Sequence, residues 1–260
     1  MAEQKQKFDG LSQDYDRFRP RYPEQLLRLL VGRLPARERL LVVDAGAGTG
    51  VELEGLTPLL AADTRYRAVD LSFDMAAQGQ AKFPQVEWTV GEAEPFLEQA
   101  AEVDLIIAAQ SFQWMDRPRF LRAAAGCLTP GGVVAIIQNN RDFGRSPFLD
   151  AYESLLEELS PGYSRHYRVF DFAAELTEVF GAAGGTVEVA TADWATTMSA
   201  QDFVGMSKSS TQAQRAITAH GEGYLKRLEA LVRDFATGGE LEVPYHSELF
   251  TAQLPAGGKR

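Results

Sequence analysis

The sequence predicts an α/β protein built on a doubly wound, mostly parallel sheet, and three observations carry that expectation. Five segments, at 40–44, 66–70, 86–90, 103–109 and 133–137, are nearly continuous in apolar residues, as strands covered on both faces are. Stretches of helical length separate them, the alternation that lays strands side by side in one direction. The first segment, L-L-V-V, ends in Asp44 and passes directly into Gly46, Gly48 and Gly50, a strand–glycine turn–helix junction that can cradle a nucleoside-bearing ligand.

The other elements follow in order. Residues 8–22 mix aromatics with Arg17, Arg19 and Arg21; they read either as a lid over a zwitterionic ligand or as an amphipathic arm packed on the domain. Leucines at helical spacing give a helix over 23–34, and small and apolar residues give another over 51–62. A helix starts near Phe73 with Ser72 as its cap, and another covers 118–127. L-T-P-G-G at 128–132 reads as a turn into the fifth strand. Residues 141–170 read as a helical cap inserted over the crevice. Helices at 172–180, 201–208 and 211–235 and strands at 186–191 and 245–254 complete a seven-stranded sheet, parallel apart from one edge strand, in a single domain spanning 1–260.

Composition narrows the function classes. The net charge of −10 repels phosphate backbones, so nucleic acid is excluded as a partner. The N-terminal M-A-E-Q-K-Q-K has no apolar core for a signal peptide and no run is long enough to span a membrane; the expectation is a cytoplasmic protein. Cys127, the single cysteine, reads as helix packing, and His166, His220 and His246 lack metal-ligand spacing, so no metal is expected. Oligomeric state is left open.

Spacing then argues against a dinucleotide. A Gly-x-Gly-x-x-Gly/Ala fingerprint counted from Gly46 places bulky Val51 last, and the acid precedes the glycines, which suits a ligand with hydroxyls and a positive charge. Asp70 closes the second strand one β-α-β unit after Asp44 and can take both hydrogen bonds of a ribose diol, with Leu71 next to it. Glu92 stands at the third strand end, where it can accept an exocyclic amine. Gln110, Ser111, Phe112, Gln113 and Trp114 leave the fourth strand at the crevice edge, and Gln138, Asn139 and Asn140 follow the fifth.

D-A-G-A-G-T-G at 44–50, V-D-L-S-F-D-M at 69–75, G-E-A-E-P-F at 91–96, D-L-I-I-A-A-Q-S-F-Q-W-M at 104–115 and L-T-P-G-G at 128–132 together resemble the class I S-adenosylmethionine-dependent methyltransferases, specifically the type 11 small-molecule group. The likeness runs from about Phe8 to Ile137. It implies a Rossmann-like methyltransferase fold with S-adenosylmethionine as cofactor. It also implies that Asp44, Gly46 and Gly48 lie along the methionyl end, Asp70 on the ribose, Met75 near the adenine, and Glu92 with the Ala93 amide at the adenine edge. Glu92 replaces the family's usual Asp, and Gln113 its frequent His, which removes a general base.

Methyl transfer to a carboxylate or soft anion needs alignment and exclusion of water rather than a base. The expected reaction is therefore methylation of a small soluble, acidic molecule, with Tyr15, Gln110, Gln113, Trp114 and Asn139 at the reacting centre. Tyr15, Tyr22, Phe112 and Trp114 are expected to wall the sulfonium, Ser111 and Arg21 to touch the cofactor, and Arg19, Arg21, Arg141 and Arg145 to hold an acid. The alternative is intramolecular attack by the cofactor's own amine, releasing methylthioadenosine and forming azetidine-2-carboxylate; Gln113, Asn139 and Asn140 fit it.

Overall fold

The computed structural model describes residues 12–166 and 170–257. Its strands are β1 (Leu41–Ala45), β2 (Arg65–Asp70), β3 (Glu87–Val90), β4 (Val103–Ala109), β5 (Leu128–Arg141), β6 (Thr186–Ser199) and β7 (Glu240–Gln253). They form one sheet in the order β3-β2-β1-β4-β5-β7-β6. The first five are parallel, and the order reverses between β1 and β4, which opens a crevice at their carboxyl ends. β7 runs antiparallel to both β5 and β6. The strand of opposite direction therefore sits one place in from the edge, not at the edge as expected.

The helices are α1 (Ser12–Phe18), α2 (Glu24–Val31), α3 (Val51–Leu56), α4 (Phe73–Lys82), α5 (Ala93–Glu98), α6 (Arg117–Cys127), α7 (Pro147–Leu159), α8 (Phe172–Leu176), α9 (Ala200–Lys208), α10 (Thr211–His220) and α11 (Glu222–Phe235). The sheet buries both faces. Ile106 and Ala108 of β4 join a cluster with Leu97 of α5, Phe120 of α6 and Leu176 of α8. Leu105 and Ile107 turn the other way, onto Leu26, Leu27 and Leu30 of α2. This two-sided burial explains why the strands read as unbroken apolar runs.

Five boundaries differ from expectation. The segment 128–132 belongs to β5 instead of forming a separate turn, with Gly131 at φ +77° taking up the irregularity. β6 reaches Ser199 and β7 starts at Glu240, because the two pair over their whole length and each supplies the other's ladder. The expected helix over 211–235 is broken at Gly221 (φ +53°, ψ −130°) into α10 and α11. The helix after the glycine loop ends at Leu56, and Thr57-Pro58 then opens a 3-10 turn.

A second core lies beyond the sheet's carboxyl end. Phe148, Leu149, Tyr152 and Leu156 of α7 pack with Phe203 of α9, Ala213 of α10 and Leu228 of α11 against Leu241, Val243 and Tyr245 of β7. The helical lobe over the crevice thus draws on 200–235 as well as on the expected 141–170. Residues 8–11 of the expected lid and Tyr167 in the cap lie outside the described residues. No helix among the described residues is long and apolar enough to cross a membrane.

Candidate active site

The glycine loop takes its shape from its sequence. Gly46, Gly48 and Gly50 all have positive φ (+70°, +55° and +74°), a region closed to most side chains. They differ in what fills the missing Cβ. At Gly46 a Cβ would stand 2.5 Å from that of Ser111, so this glycine lets the β4 end close onto β1. At Gly48 the nearest atom is on the Tyr15 ring at 3.8 Å, leaving the main chain open to a ligand.

A cleft of about 400 Å³ follows from this arrangement, lined by Gly46, Gly48, Asp70, Leu71, Met75, Glu92, Ala93, Gln110 and Ser111, with Tyr15 and Trp114 closing one end. Asp70 is mostly buried; its Oδ2 accepts from the Gly48 amide and its Oδ1 from the Ser72 amide, both at 2.8 Å. Each oxygen keeps a lone pair, as a ribose diol requires. Burial pushes the Asp70 carboxyl above its ordinary range, opposed by those two amides. Ser72 caps α4 through the Met75 amide, leaving Asp70 to the loop. Asp44, expected along the methionyl end, is not among the residues lining this cleft; it is 1% exposed, with both carboxylate oxygens buried and without a hydrogen-bond partner. An orphaned buried carboxylate is costly unless something supplies a donor, directly or through water, so the residues present fit a ligand bearing an ammonium group.

A second cavity of about 310 Å³ adjoins the first and shares Tyr15, Gly46, Ala109, Gln110 and Trp114 with it. Its other walls come from distant parts of the chain: Arg19 and Tyr22, Glu52, Asn139 to Arg141, His166, Gln212 and Tyr245. Arg19 has its guanidinium 4.5 Å from the Tyr15 ring centroid and a buried Nε with no partner. Arg141 is held by Glu153 at 2.9 Å, and Glu153 also accepts from the Tyr163 hydroxyl.

Gln110 fixes the boundary between the cavities. Its φ of +55° is unusual outside glycine and is held by its amide donating to Ile137 O (2.9 Å) and its Nε2 donating to Asn139 O (2.8 Å). Ser111 Oγ donates to Ala45 O at 2.7 Å, tying β4 to β1.

Several expected contacts are not brought together. Gln113 lines neither cavity; its amide donates to Gln110 O and its Oε1 accepts from Gln138. Arg21 lines neither; its guanidinium is taken by Glu54 and by the Asp16 and Arg19 carbonyls. Phe112 is fully buried between Phe120 and Phe172 and belongs to the core. Arg145 is exposed beside Asp142 and Asp193. Asn139 does line the second cavity, but its amide spans the Arg21 carbonyl and the Ser247 hydroxyl. Glu52 carries no signal in the sequence: with Glu54 two residues on, it reads as one of two first-turn acids of a short helix, and the structure shows it 3% exposed.

Comparison with known proteins agrees with this architecture. Residues 42–132 match the model of a methyltransferase domain. An uncharacterized methyltransferase of Schizosaccharomyces pombe is 32% identical over 65% of this chain and 64% of its own length. A trans-aconitate 2-methyltransferase of Variovorax paradoxus is 30% identical over 44% of each chain. The matches to curated relatives therefore span about half to just under two thirds of those proteins. A solved structure from Anaeromyxobacter dehalogenans, assigned as a type II methyltransferase, superposes with a TM-score of 0.66 at 25% identity, covering 92% of this chain and 99% of that one. With the sheet order and glycine loop described above, these likenesses show a Rossmann-like methyltransferase fold in which residues 42–132 match a methyltransferase domain.

Proposed function

We propose that this protein transfers the methyl group of S-adenosylmethionine to a small molecule carrying a carboxylate. The observation that carries the reading is the pair of cavities sharing one wall, with Tyr15, Gln110 and Trp114 at the junction. When bound, the cofactor supplies an electrophilic methyl group on a sulfonium sulfur. The chain's own residues do the rest. Asp70 and the Gly48 main chain hold the ribose end, and the Tyr15 and Trp114 faces suit a positive charge at the junction. Gln110, locked onto β5, keeps the two cavities in register.

The carboxylate is supported by Arg19 and Arg141 facing the second cavity, and by the name of the Variovorax relative, a trans-aconitate 2-methyltransferase. A carboxylate is already ionised at neutral pH, so the absence of Gln113 from the site removes nothing the reaction needs. The cyclisation alternative leaned on Gln113, Asn139 and Asn140, and the placement of Gln113 and the occupied amide of Asn139 give it no support. The test is incubation with S-adenosylmethionine and a panel of small carboxylic acids, read by mass spectrometry. S-adenosylhomocysteine together with a methyl ester is expected. Methylthioadenosine formed without any acid, or no turnover with any member of the panel, contradicts the proposal.

A further inference from the structure

Glu52 is the second residue of α3 and 3% exposed, yet it lines the second cavity, and its Oε1 is buried without a hydrogen-bond partner. A bare carboxylate is not tolerated at that depth. Burial pushes the Glu52 carboxyl up to about 8, opposed by its own backbone N–H and by Lys82 and reinforced by Asp70 and Glu54. At neutral pH the group therefore keeps its proton. With its backbone N–H satisfying part of its acceptor capacity, it has a hydroxyl to donate.

Resting on the reading of this cavity as the acceptor site, we propose that Glu52 is a specificity-determining residue that, as a neutral acid, donates a hydrogen bond to a carboxylate oxygen of a small di- or tricarboxylate acceptor. One carboxylate of such an acceptor has to lie at the Tyr15–Trp114 junction to be methylated. The Glu52 hydroxyl and the unpartnered Arg19 Nε then call for a further one. Ionisation of Glu52 would replace the donor with a like charge and expel that group.

The other charged and titratable groups facing Glu52 are Lys82 from α4, Asp70 from β2 and Glu54 on its own helix, with Tyr15, Arg19, Tyr22, Arg141, Glu153, Tyr163, Arg165, His166 and Tyr245 around the cavity. Arg141 is paired with Glu153, Arg165 with Asp150 and Glu157, and burial pushes the Tyr245 phenol up.

The test is calorimetric titration of S-adenosylhomocysteine, and then of malonate, citrate and trans-aconitate into the S-adenosylhomocysteine-saturated protein. It compares wild type with Glu52→Gln and Glu52→Leu at pH 7.0 and 9.0. Wild-type affinity for at least one of these acids should fall about tenfold between the two pH values, the drop in the protonated fraction of a group titrating near 8. Glu52→Gln should retain the pH 7.0 affinity and lose that fall, while Glu52→Leu should bind about tenfold more weakly at pH 7.0. S-adenosylhomocysteine affinity should be equal in all three proteins. The proposal is overturned if the pH dependence survives in Glu52→Gln, if no acid binds the saturated wild type, or if Glu52→Gln weakens S-adenosylhomocysteine itself. Failure of the wild type to bind S-adenosylhomocysteine would instead overturn the methyltransferase reading beneath it.

Discussion

The two cavities are built in different ways. The cleft proposed for the cofactor is framed by consecutive strand ends: β1 and its glycine loop, β2 with Asp70, the turn after β3 with Glu92, and the turn after β4 with Gln110. Much of its chemistry belongs to the main chain, as at Gly48, where the amide is fixed by Asp70 and the missing Cβ leaves the backbone open. The cavity proposed for the acceptor is a patchwork reaching from Tyr15 to Tyr245, in which side chains of the helical lobe face the carboxyl ends of β1 and β5. Topology dictates the first cavity, and the second is set by whichever side chains the lobe carries. A scaffold of this kind can keep its cofactor while changing its acceptor.

That contrast can be broken by substitution. The largest effect is expected for Asp70→Ala, which removes the acceptor for both the Gly48 and Ser72 amides and so deforms the cleft as well as emptying it of its carboxylate. Cofactor affinity by calorimetry should fall about 100-fold, with about 2–4 kcal/mol lost from stability in denaturant titration. Arg19→Ala should act on the other cavity: KM for a carboxylate acceptor should rise about tenfold or more, with kcat held within about threefold. A comparable loss of cofactor affinity in Arg19→Ala would erase the distinction between the cavities.

Glu52→Gln sharpens the comparison through stability. The Glu52 carboxyl titrates near 8 in the folded chain and near 4.5 when unfolded. Between those values the unfolded chain releases a proton that the native one keeps. Wild-type stability therefore falls as pH rises from about 4.5 to about 8 and levels off above, by at most about 1.4 kcal/mol per pH unit in that window. Glu52→Gln lacks this loss, so its melting temperature should exceed that of wild type at pH 8.5, with the gap closing as pH approaches 5. An equal gap at both pH values would show that Glu52 is ionised in the native state.

The smallest effect is expected for Arg21→Ala. Its partner Glu54 also binds Lys82, and the pair is partly exposed, so cofactor affinity should stay within about twofold and stability within about 1 kcal/mol.

The same contrast explains what could be read in the sequence. The β1 run, the alternating glycines and the acids at strand ends are local patterns; Gly46, Gly48, Asp70, Met75, Glu92 and Ala93 line one cleft, while Asp44 and Gly50 do not. Gln113 and Arg21 misled because sequence proximity to the crevice says nothing about which way a side chain leaves a 3-10 turn or which acid captures a guanidinium first. Phe112 follows the fourth strand, yet it buries itself between Phe120 and Phe172, where an aromatic ring removes more apolar surface from water than at a cleft rim. Glu52 and the lobe side chains became visible only through tertiary packing, since contacts between residues near 50, 140, 210 and 245 leave no periodic trace.

The central claim, that the nucleoside ligand occupies the cleft at the first strand ends and leaves the neighbouring cavity for the acceptor, is tested most directly by amide hydrogen exchange with and without S-adenosylhomocysteine. Slowed exchange is expected at residues 46–50, 70–75 and 91–94, with 139–141 and 206–212 changing little. Protection confined to 139–141 and 206–212, with the glycine loop unchanged, would contradict the account.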